Sequence, residues 1–221
     1  MPFRDRADAG RKLALALRKF RGHDVVVLAL PRGGVPVAAE VAASLQAPLD
    51  LILVRKIGVP GQPELAMGAV VDGAEPHVVR NEDVIALAGV SEEEFAAIRD
   101  RELLEIERRR RKYLGHRARA EVSGRVAITI DDGIATGATI RAALQAVRPR
   151  RPRRLVLAVP VAPTSTLFEL RDEADEIVCL EDYESFGAIG FYYRNFRQID
   201  DHEVTEILAR FPATDVAAPN P

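Results

Sequence analysis

The sequence predicts an α/β protein with a doubly wound, mainly parallel five-stranded sheet, a helical insertion and a small C-terminal hood. Five apolar runs of strand length alternate with segments of helical periodicity along the 221 residues. The first two runs are joined by a glycine turn and a helix within about thirty residues, which is a βαβ unit. Continuous apolar runs, as opposed to alternating ones, are typical of strands covered on both faces in parallel sheets.

The first half begins with a helix and continues with the βαβ unit. Residues 6–20 carry large apolar side chains at helical spacing and predict an amphipathic helix. VVVLAL (25–30) predicts the first strand, and LDLILV (49–54) predicts the second. The helix between them covers 35–45 and has Pro36 near its first turn, where proline is tolerated.

Residues 72–120 form the predicted insertion. AMGAVV and HVVR predict short strands of a side hairpin, and a long helix follows from Ser91 to Tyr113. Ser91 and Glu94 form a capping box, and the basic run RRRRK (108–112) lies at the negative end of the helix dipole. The basic run could be a nucleic-acid patch, but acidic residues precede it, which favours a solvated helix end.

The second half returns to strands that alternate with helices. The predicted elements are strands over 125–130, 154–161 and 176–180, and helices over 139–147 and 164–171. The Arg/Pro cluster at 148–154 is interpreted as a surface turn. We expect one domain over residues 1–211 with a hood at about 181–205, and a disordered tail over 212–221, where Pro and Ala lack periodicity.

Composition limits the classes of partner. A net charge of −2 gives no global attraction to nucleic acid or to a membrane surface. The single cysteine, Cys179, excludes an internal disulfide framework and fits a reducing compartment. No segment is apolar and long enough for a signal sequence or a membrane span. We therefore expect a cytoplasmic protein without a membrane or nucleic-acid partner.

The clearest chemical feature is ITIDDGIATGATIRAAL (128–144). A buried strand ends in two carboxylates, Asp131 and Asp132, at the edge of the sheet where ligands bind in open α/β folds. The Gly- and Thr-rich loop that follows offers exposed backbone, hydroxyl donors and the N-terminus of a helix, which together suit a phosphate. A plain turn would also contain DDG, but it would not predict the buried strand before it and the amphipathic helix after it.

The two carboxylates restrict the ligand further. Asp131 and Asp132 would repel a phosphate, so they must meet a hydrogen-bond donor such as a vicinal diol, or a hard cation. A ribose 5-phosphate group satisfies both halves of the motif. The Walker loop is excluded because its Gly-Lys-Ser/Thr ending is missing, and the dinucleotide fingerprint is excluded because its glycine spacing is absent.

IDDGIATGAT resembles the signature of the type I phosphoribosyltransferases for phosphoribosyl pyrophosphate, and the resemblance extends over about residues 24–200. It implies that Asp131 and Asp132 bind the ribose hydroxyls. It also implies a loop around the 5′-phosphate made of Ala135, Thr136, Gly137, Ala138 and Thr139. Gly133 departs from the pattern, since many members carry an apolar residue there.

LPRGG (30–34) agrees with this resemblance. Pyrophosphate needs backbone N–H donors and a cation, which Arg32, Gly33 and Gly34 supply after the first strand. Related family members place a loop of this type under the pyrophosphate. Taken alone, a simple Gly-Gly turn between strand and helix explains the segment equally well.

LVRKIGVPGQPE (53–64) is similar to the family's mobile loop, which brings a basic residue to the pyrophosphate. Arg55 and Lys56 follow the predicted second strand, and the Gly/Pro-rich remainder suits a lid. A plain surface loop is the alternative. Lys56 is one of only four lysines in the chain, and this favours a functional role.

An aromatic cluster follows the last predicted strand. Its members are Phe186, Phe191, Tyr192, Tyr193 and Phe196. Aromatic rings could stack on a planar acceptor, with Phe186 and Tyr192 as the candidates, or form the core of the hood.

The resemblance implies a pentosyltransferase, a phosphoribosyltransferase that uses phosphoribosyl pyrophosphate and a nitrogenous acceptor with Asp131, Asp132 and Lys56 as catalytic residues. Mg²⁺ would bind through the substrate and the two aspartates. The alternatives are a non-catalytic sensor of phosphoribosyl pyrophosphate or nucleotides with the same fold, and a generic sugar-phosphate-binding protein. Dimers are usual in the family, so the resemblance is compatible with a homodimer.

Overall fold

The computed structural model describes residues 2–73 and 76–211. The strands of its main sheet are β1 (Val25–Ala29), β2 (Leu49–Leu51), β6 (Val126–Ile130), β7 (Arg154–Pro163) and β8 (Glu176–Tyr183). All five are parallel and lie in the order β2-β1-β6-β7-β8, which confirms the predicted fold class. The predicted tail, 212–221, lies outside the described residues.

Seven α-helices accompany the strands in the described ranges. They are α1 (Arg6–Ala16), α2 (Gly34–Leu45), α3 (Glu82–Ala88), α4 (Glu92–Leu114), α5 (Ala138–Val147), α6 (Thr164–Glu169) and α7 (Asp201–Ala209). The capping box predicted for Ser91 and Glu94 is present at the start of α4. Neither α3 nor α7 was expected from the sequence. The predicted 6–20 helix ends at Ala16 and is followed by a 3₁₀ turn over Arg18–Phe20.

Alternate residues of β1 point to opposite faces of the sheet. Val25, Val27 and Ala29 belong to the apolar core that α1, α2 and α7 cover. Val26 and Leu28 belong to the core under α5. All five residues of β1 are buried, as the continuous apolar run predicts. The sheet is therefore wound on both faces, and its carboxyl edge carries the loops of the predicted site.

The segment after β2 differs from the prediction. The run 49–54 was expected to be one strand, but β2 ends at Leu51 and Val54 begins β3 (Val54–Val59) in a second sheet. This sheet is antiparallel, with order β3-β4-β5, and contains β4 (Gln62–Val71) and β5 (His77–Arg80). The expected side hairpin is β4 and β5, whereas the expected loop over 53–64 is a ribbon.

The physical reason for the ribbon lies in its alternating burial. Ile57 and Val59 are buried while Lys56 is exposed, so β3 has one covered face and one open face. Gly58 lies at an irregularity in the register, and a Cβ there would meet the backbone of Pro63 at 2.5 Å. The turn at Gly61 has a φ of 75°, which favours glycine. Its glycines thus serve a bulge and a tight turn, not an irregular loop.

Candidate active site

The loops after β1 and β6 touch each other directly. A Cβ on Gly33 would lie 2.0 Å from Oδ2 of Asp132, and a Cβ on Gly34 would lie 2.9 Å from Cα of Asp131. Contacts this short leave no room for any side chain at either glycine. The structure therefore brings the predicted pyrophosphate loop together with Asp131 and Asp132, the acid pair. A plain Gly-Gly turn would require no such contact.

Asp132 is held by Arg6 and by the hood, neither of which was expected to contact the acid pair. The Nε of Arg6 donates to its Oδ2 at 2.7 Å, and both side chains are nearly buried. The guanidinium of Arg6 also donates to the carbonyl of Arg197 at 2.8 Å and lies 3.9 Å from the ring centre of Phe196. The Tyr193 hydroxyl donates to the backbone carbonyl of Asp132 at 2.6 Å. The N-terminal helix and the hood thus both bear on the acid pair.

Burial makes the negative charge of the pair costly. It raises the pKa of the Asp131 carboxyl well above its usual range, and the neighbouring Asp132 carboxylate raises that pKa further. The pKa of Asp132 is also raised by burial, but Arg6 opposes the shift. Two adjacent acids with one resident cation favour a ligand that brings hydrogen-bond donors or positive charge.

The predicted phosphate loop, 135–139, ends at the start of α5. Gly137 is the N-cap residue with a φ of 76°, and no side chain caps the helix. A Cβ at Gly137 would meet Cγ2 of Thr166 at 2.7 Å, and the Thr166 hydroxyl donates to the carbonyl of Ala135 at 3.0 Å. Uncapped N–H groups at a helix N-terminus, next to the exposed Thr136, are suited to an anion.

Arg32 projects from the first loop towards α7. Its Nη1 lies 3.6 Å from Oδ1 of Asp201. Oδ2 of the same carboxylate accepts from Lys112 at 2.7 Å, and Oδ1 accepts from the Tyr113 hydroxyl. These donors lower the pKa of Asp201 to about 2. Lys112 is the last residue of the basic run on α4, so this run also contributes an ion pair with α7 and is not only solvated. Asp201 is a counter-ion that sequence reasoning missed.

The ribbon places its two basic residues in different surroundings. Arg55 donates to Glu102 on α4 at 2.7 Å, and the Glu102 side chain is only 11% exposed. Lys56 is exposed and lines a cavity of about 530 Å³ together with Thr136 and Ala138 of the phosphate loop. Lys56 is therefore next to the loop that we expect to hold a phosphate, whereas Arg55 is engaged by α4.

The aromatic cluster packs over the loop after β6. Phe186 stacks on Tyr192 with ring centres 4.8 Å apart, and the ring centre of Tyr183 lies 4.7 Å from that of Tyr192. A Cβ on Gly133 would meet the Ile189 side chain at 2.7 Å. This contact explains glycine at position 133, where many type I phosphoribosyltransferases carry an apolar residue. The hood thus contacts the loop after β6 through Ile189 and Tyr193.

The described residues support neither a thiol nucleophile nor a metal centre held by protein side chains alone. Burial raises the pKa of the Cys179 thiol to about 12, which keeps it protonated at neutral pH. Residues 2–73 and 76–211 contain no group of three or more His, Cys, Asp and Glu side chains that could hold a metal ion. No described helix is long and apolar enough to cross a membrane.

The fold and the loops at its carboxyl edge define a doubly wound α/β protein with a glycine loop and an acid pair in contact at that edge. The chain belongs to the phosphoribosyl transferase domain family, whose family model matches residues 4–194. It is 48% identical over 208 residues to a Mycobacterium tuberculosis protein, known from two strains, that carries the name "Putative phosphoribosyl transferase". The match covers 94% of this chain and 46% of the relative, so the chain spans about half the length of the curated relatives it matches.

A solved structure shows the same fold over nearly the whole chain. The crystal structure of the protein TT1426 from Thermus thermophilus is 41% identical in sequence and superposes with a TM-score of 0.82. The comparison covers 96% of this chain and 100% of that protein. The similarity therefore includes the ribbon and the hood as well as the central sheet.

Proposed function

We propose that the protein transfers ribose 5-phosphate from phosphoribosyl pyrophosphate to a nitrogenous acceptor and releases pyrophosphate. The observation that carries this proposal is that the loop of Gly33 and Gly34 touches the acid pair, which is followed by the uncapped start of α5. A single ligand can then contact three adjacent groups: N–H donors for its 5′-phosphate, carboxylates for its hydroxyls, and the loop expected to bind pyrophosphate. Membership of the phosphoribosyl transferase domain family supports the same reaction.

The proposed roles follow from charge. Asp131 and Asp132 accept hydrogen bonds from the ribose hydroxyls, while residues 135–139 donate to the 5′-phosphate. Arg32 and the backbone N–H groups of Gly33 and Gly34 bind the pyrophosphate, with Arg55 and Lys56 of the ribbon as its further cations. Arg32 must exchange Asp201 for the pyrophosphate, and Arg55 must leave Glu102, whereas Lys56 forms no ion pair within the described ranges.

The reaction needs positioning and charge stabilisation more than proton transfer. Departure of pyrophosphate develops positive charge on the ribose ring and negative charge on the leaving group. The carboxylates of the acid pair face the first charge, and the basic residues face the second. No general base is assigned among the four histidines, which lie outside the motifs.

Magnesium fits the donor set as an ion shared with the substrate. Asp131 and Asp132 supply hard carboxylate oxygens, and ribose and pyrophosphate oxygens would complete the coordination, since no three-residue protein cluster is present in the described ranges. When bound, Mg²⁺ supplies charge neutralisation of the pyrophosphate. The aspartates and the phosphate loop orient the substrate.

The aromatic hood supports a planar acceptor. Phe186 and Tyr192 form a stacked pair in the hood, and a planar base could extend that stack. We propose these two residues as acceptor contacts. Replacement of Phe186 by alanine should then raise the KM for the acceptor and leave the binding of phosphoribosyl pyrophosphate unchanged.

The test is pyrophosphate release from phosphoribosyl pyrophosphate with Mg²⁺ against a panel of purines, pyrimidines and pyridine carboxylates. We expect release that depends on one acceptor and that disappears in the Asp131→Asn/Asp132→Asn double variant. An undiminished rate in the double variant would contradict the site. Binding of phosphoribosyl pyrophosphate without turnover on any acceptor would instead indicate a sensor with the same fold.

A further inference from the structure

The two adjacent carboxylates have different partners. Asp132 is committed: its Oδ2 accepts from Arg6 at 2.7 Å and lies against Gly33. Asp131 accepts from the backbone N–H of Asp132 at 2.8 Å, and within residues 2–73 and 76–211 no Lys, Arg or His forms an ion pair with it. The pair therefore consists of one clamped acid and one acid without a resident cation of its own.

We infer that Arg6 is a positioning residue that fixes the loop after β6, and with it the acid pair, through Asp132. This inference rests on the proposed function and adds a residue that positions its acid pair. It places an N-terminal residue, 126 positions from the motif, in the construction of the site.

The contacts of Arg6 are those of a clamp. Its Nε bonds to Asp132, its Nη1 bonds to the carbonyl of Arg197 at 2.8 Å, and its planar group stacks on Phe196 at 3.9 Å. A guanidinium can make these three contacts together, whereas an ammonium group cannot stack and bond in two fixed directions. The Arg6 side chain is 9% exposed, so little of it can reach a ligand.

The chain around Arg6 is attached to the hood. The N–H of Phe3 donates to the carbonyl of Tyr192 at 2.7 Å, and the N–H of Arg194 donates to the carbonyl of Phe3 at 2.8 Å. The Tyr193 hydroxyl, on the same stretch, donates to the carbonyl of Asp132 at 2.6 Å. The N-terminal segment and the hood thus grip Asp132 by its side chain and its backbone.

The position of the grip explains why it matters for binding. Asp132 lies between Asp131 and the phosphate loop at 135–139, so a shift of Asp132 would move the hydroxyl acceptors and the phosphate donors together. A displacement of about 1 Å at such a site can cost about a hundredfold in rate. Arg6 would therefore act on affinity and turnover without touching the substrate.

The experiment compares the variants Asp131→Asn, Asp132→Asn, Arg6→Met, Arg6→Lys and the double variant Arg6→Met/Asp132→Asn. Thermal unfolding gives Tm, and calorimetry with phosphoribosyl pyrophosphate and Mg²⁺ gives affinity. Arg150→Met is the matched control, since this half-buried arginine donates to the carbonyl of Ala120 beyond the C-terminal end of α5.

We expect Asp131→Asn to keep the Tm of the wild type and to weaken binding about 10- to 150-fold, the effect of one charge-assisted hydrogen bond. Asp132→Asn and Arg6→Met should each lower Tm by about 6–20 °C, because each leaves a buried charge without its partner. The double variant should lose less Tm than the two single variants added together. Arg6→Lys should bind between wild type and Arg6→Met, and Arg150→Met should bind as the wild type does.

The inference is overturned if Arg6→Met and Asp132→Asn both keep the Tm of the wild type, since Arg6 would then not hold Asp132. Unchanged affinity in Arg6→Met would overturn the positioning role. If a single variant does not fold, the double variant and Arg6→Lys still report the coupling and the affinity. Failure of the wild type to bind phosphoribosyl pyrophosphate refutes the proposed function instead, while the Tm cycle still measures the Arg6–Asp132 pair.

Discussion

Replacement of Gly33 by alanine tests the contact on which the site depends. Gly33 has helical backbone angles, with φ −62° and ψ −37°, so its conformation suits any residue. Without a steric conflict, alanine would stabilise the fold by about 0.4–1 kcal/mol through the unfolded state. The added Cβ, however, would lie 2.0 Å from Oδ2 and 2.5 Å from Cγ of Asp132.

The sign of the effect depends on whether Asp132 can move. Its carboxylate is pinned by Arg6 and both side chains are nearly buried, so retreat breaks a buried ion pair. Overpacking costs about 1–3 kcal/mol, and a broken buried pair costs about 3–5 kcal/mol. We therefore expect Gly33→Ala to lower the free energy of unfolding by about 2–5 kcal/mol, which corresponds to a fall in Tm of about 4–20 °C.

Urea denaturation at neutral pH measures this loss, with Gly187→Ala as the control. A Cβ at Gly187 would also make a short contact, 2.8 Å to Cδ2 of Phe191, but that ring is 77% exposed and can rotate away. We expect the control to change stability by less than about 1 kcal/mol. A Gly33→Ala variant as stable as the wild type would refute the tight contact and, with it, the geometry of the pair.

Two further predictions concern the ion pairs around the site. Glu102→Ala should lower the free energy of unfolding by about 1–3 kcal/mol, because it leaves Arg55 half-buried without its partner; Glu107→Ala, which removes an exposed pair with Arg111, should cost less than about 0.5 kcal/mol, and equal losses would contradict the assignment. Asp201→Asn should reduce the loss of stability between pH 5 and pH 2. The folded pKa of Asp201 is lowered to about 2, so its contribution is present above the unfolded pKa and is lost as the pH falls through the folded one. Parallel stability curves for the two proteins would count against this.

The contiguous part of the site was predictable from the sequence because its chemistry lies along one stretch of chain. A buried strand, Asp131 and Asp132, a Gly/Thr loop and a helix start follow each other without interruption, and the carboxyl edge of a parallel sheet fixes where they lie. The same edge brings in the loop after β1, so the neighbourhood of Gly33 and Gly34 follows from the strand order.

The partners of these residues were not predictable, because tertiary packing alone brings them in. Arg6 and Asp132 are 126 positions apart, and nothing in the sequence of α1 distinguishes Arg6 from the other arginines. Asp201 reaches Arg32 only because α7 packs on α2 and α4. The ribbon was misread as a loop, since its Gly and Pro residues are typical of loops as well as of a bulged, tightly turned hairpin.

The acid pair explains what a ligand must bring to this protein. A buried carboxylate, Asp132, lies beside the half-buried Asp131, and desolvation raises the pKa of both, while Arg6 compensates only Asp132. A ligand that brings only a phosphate to the phosphate loop leaves the negative charge of Asp131 uncompensated, whereas a sugar phosphate also donates hydroxyl hydrogens to Asp131. Ribose 5-phosphate should therefore raise Tm more than inorganic phosphate at the same concentration, and the difference should vanish in Asp131→Asn. Equal shifts with both ligands in the wild type would mean that the carboxylates do not face the sugar.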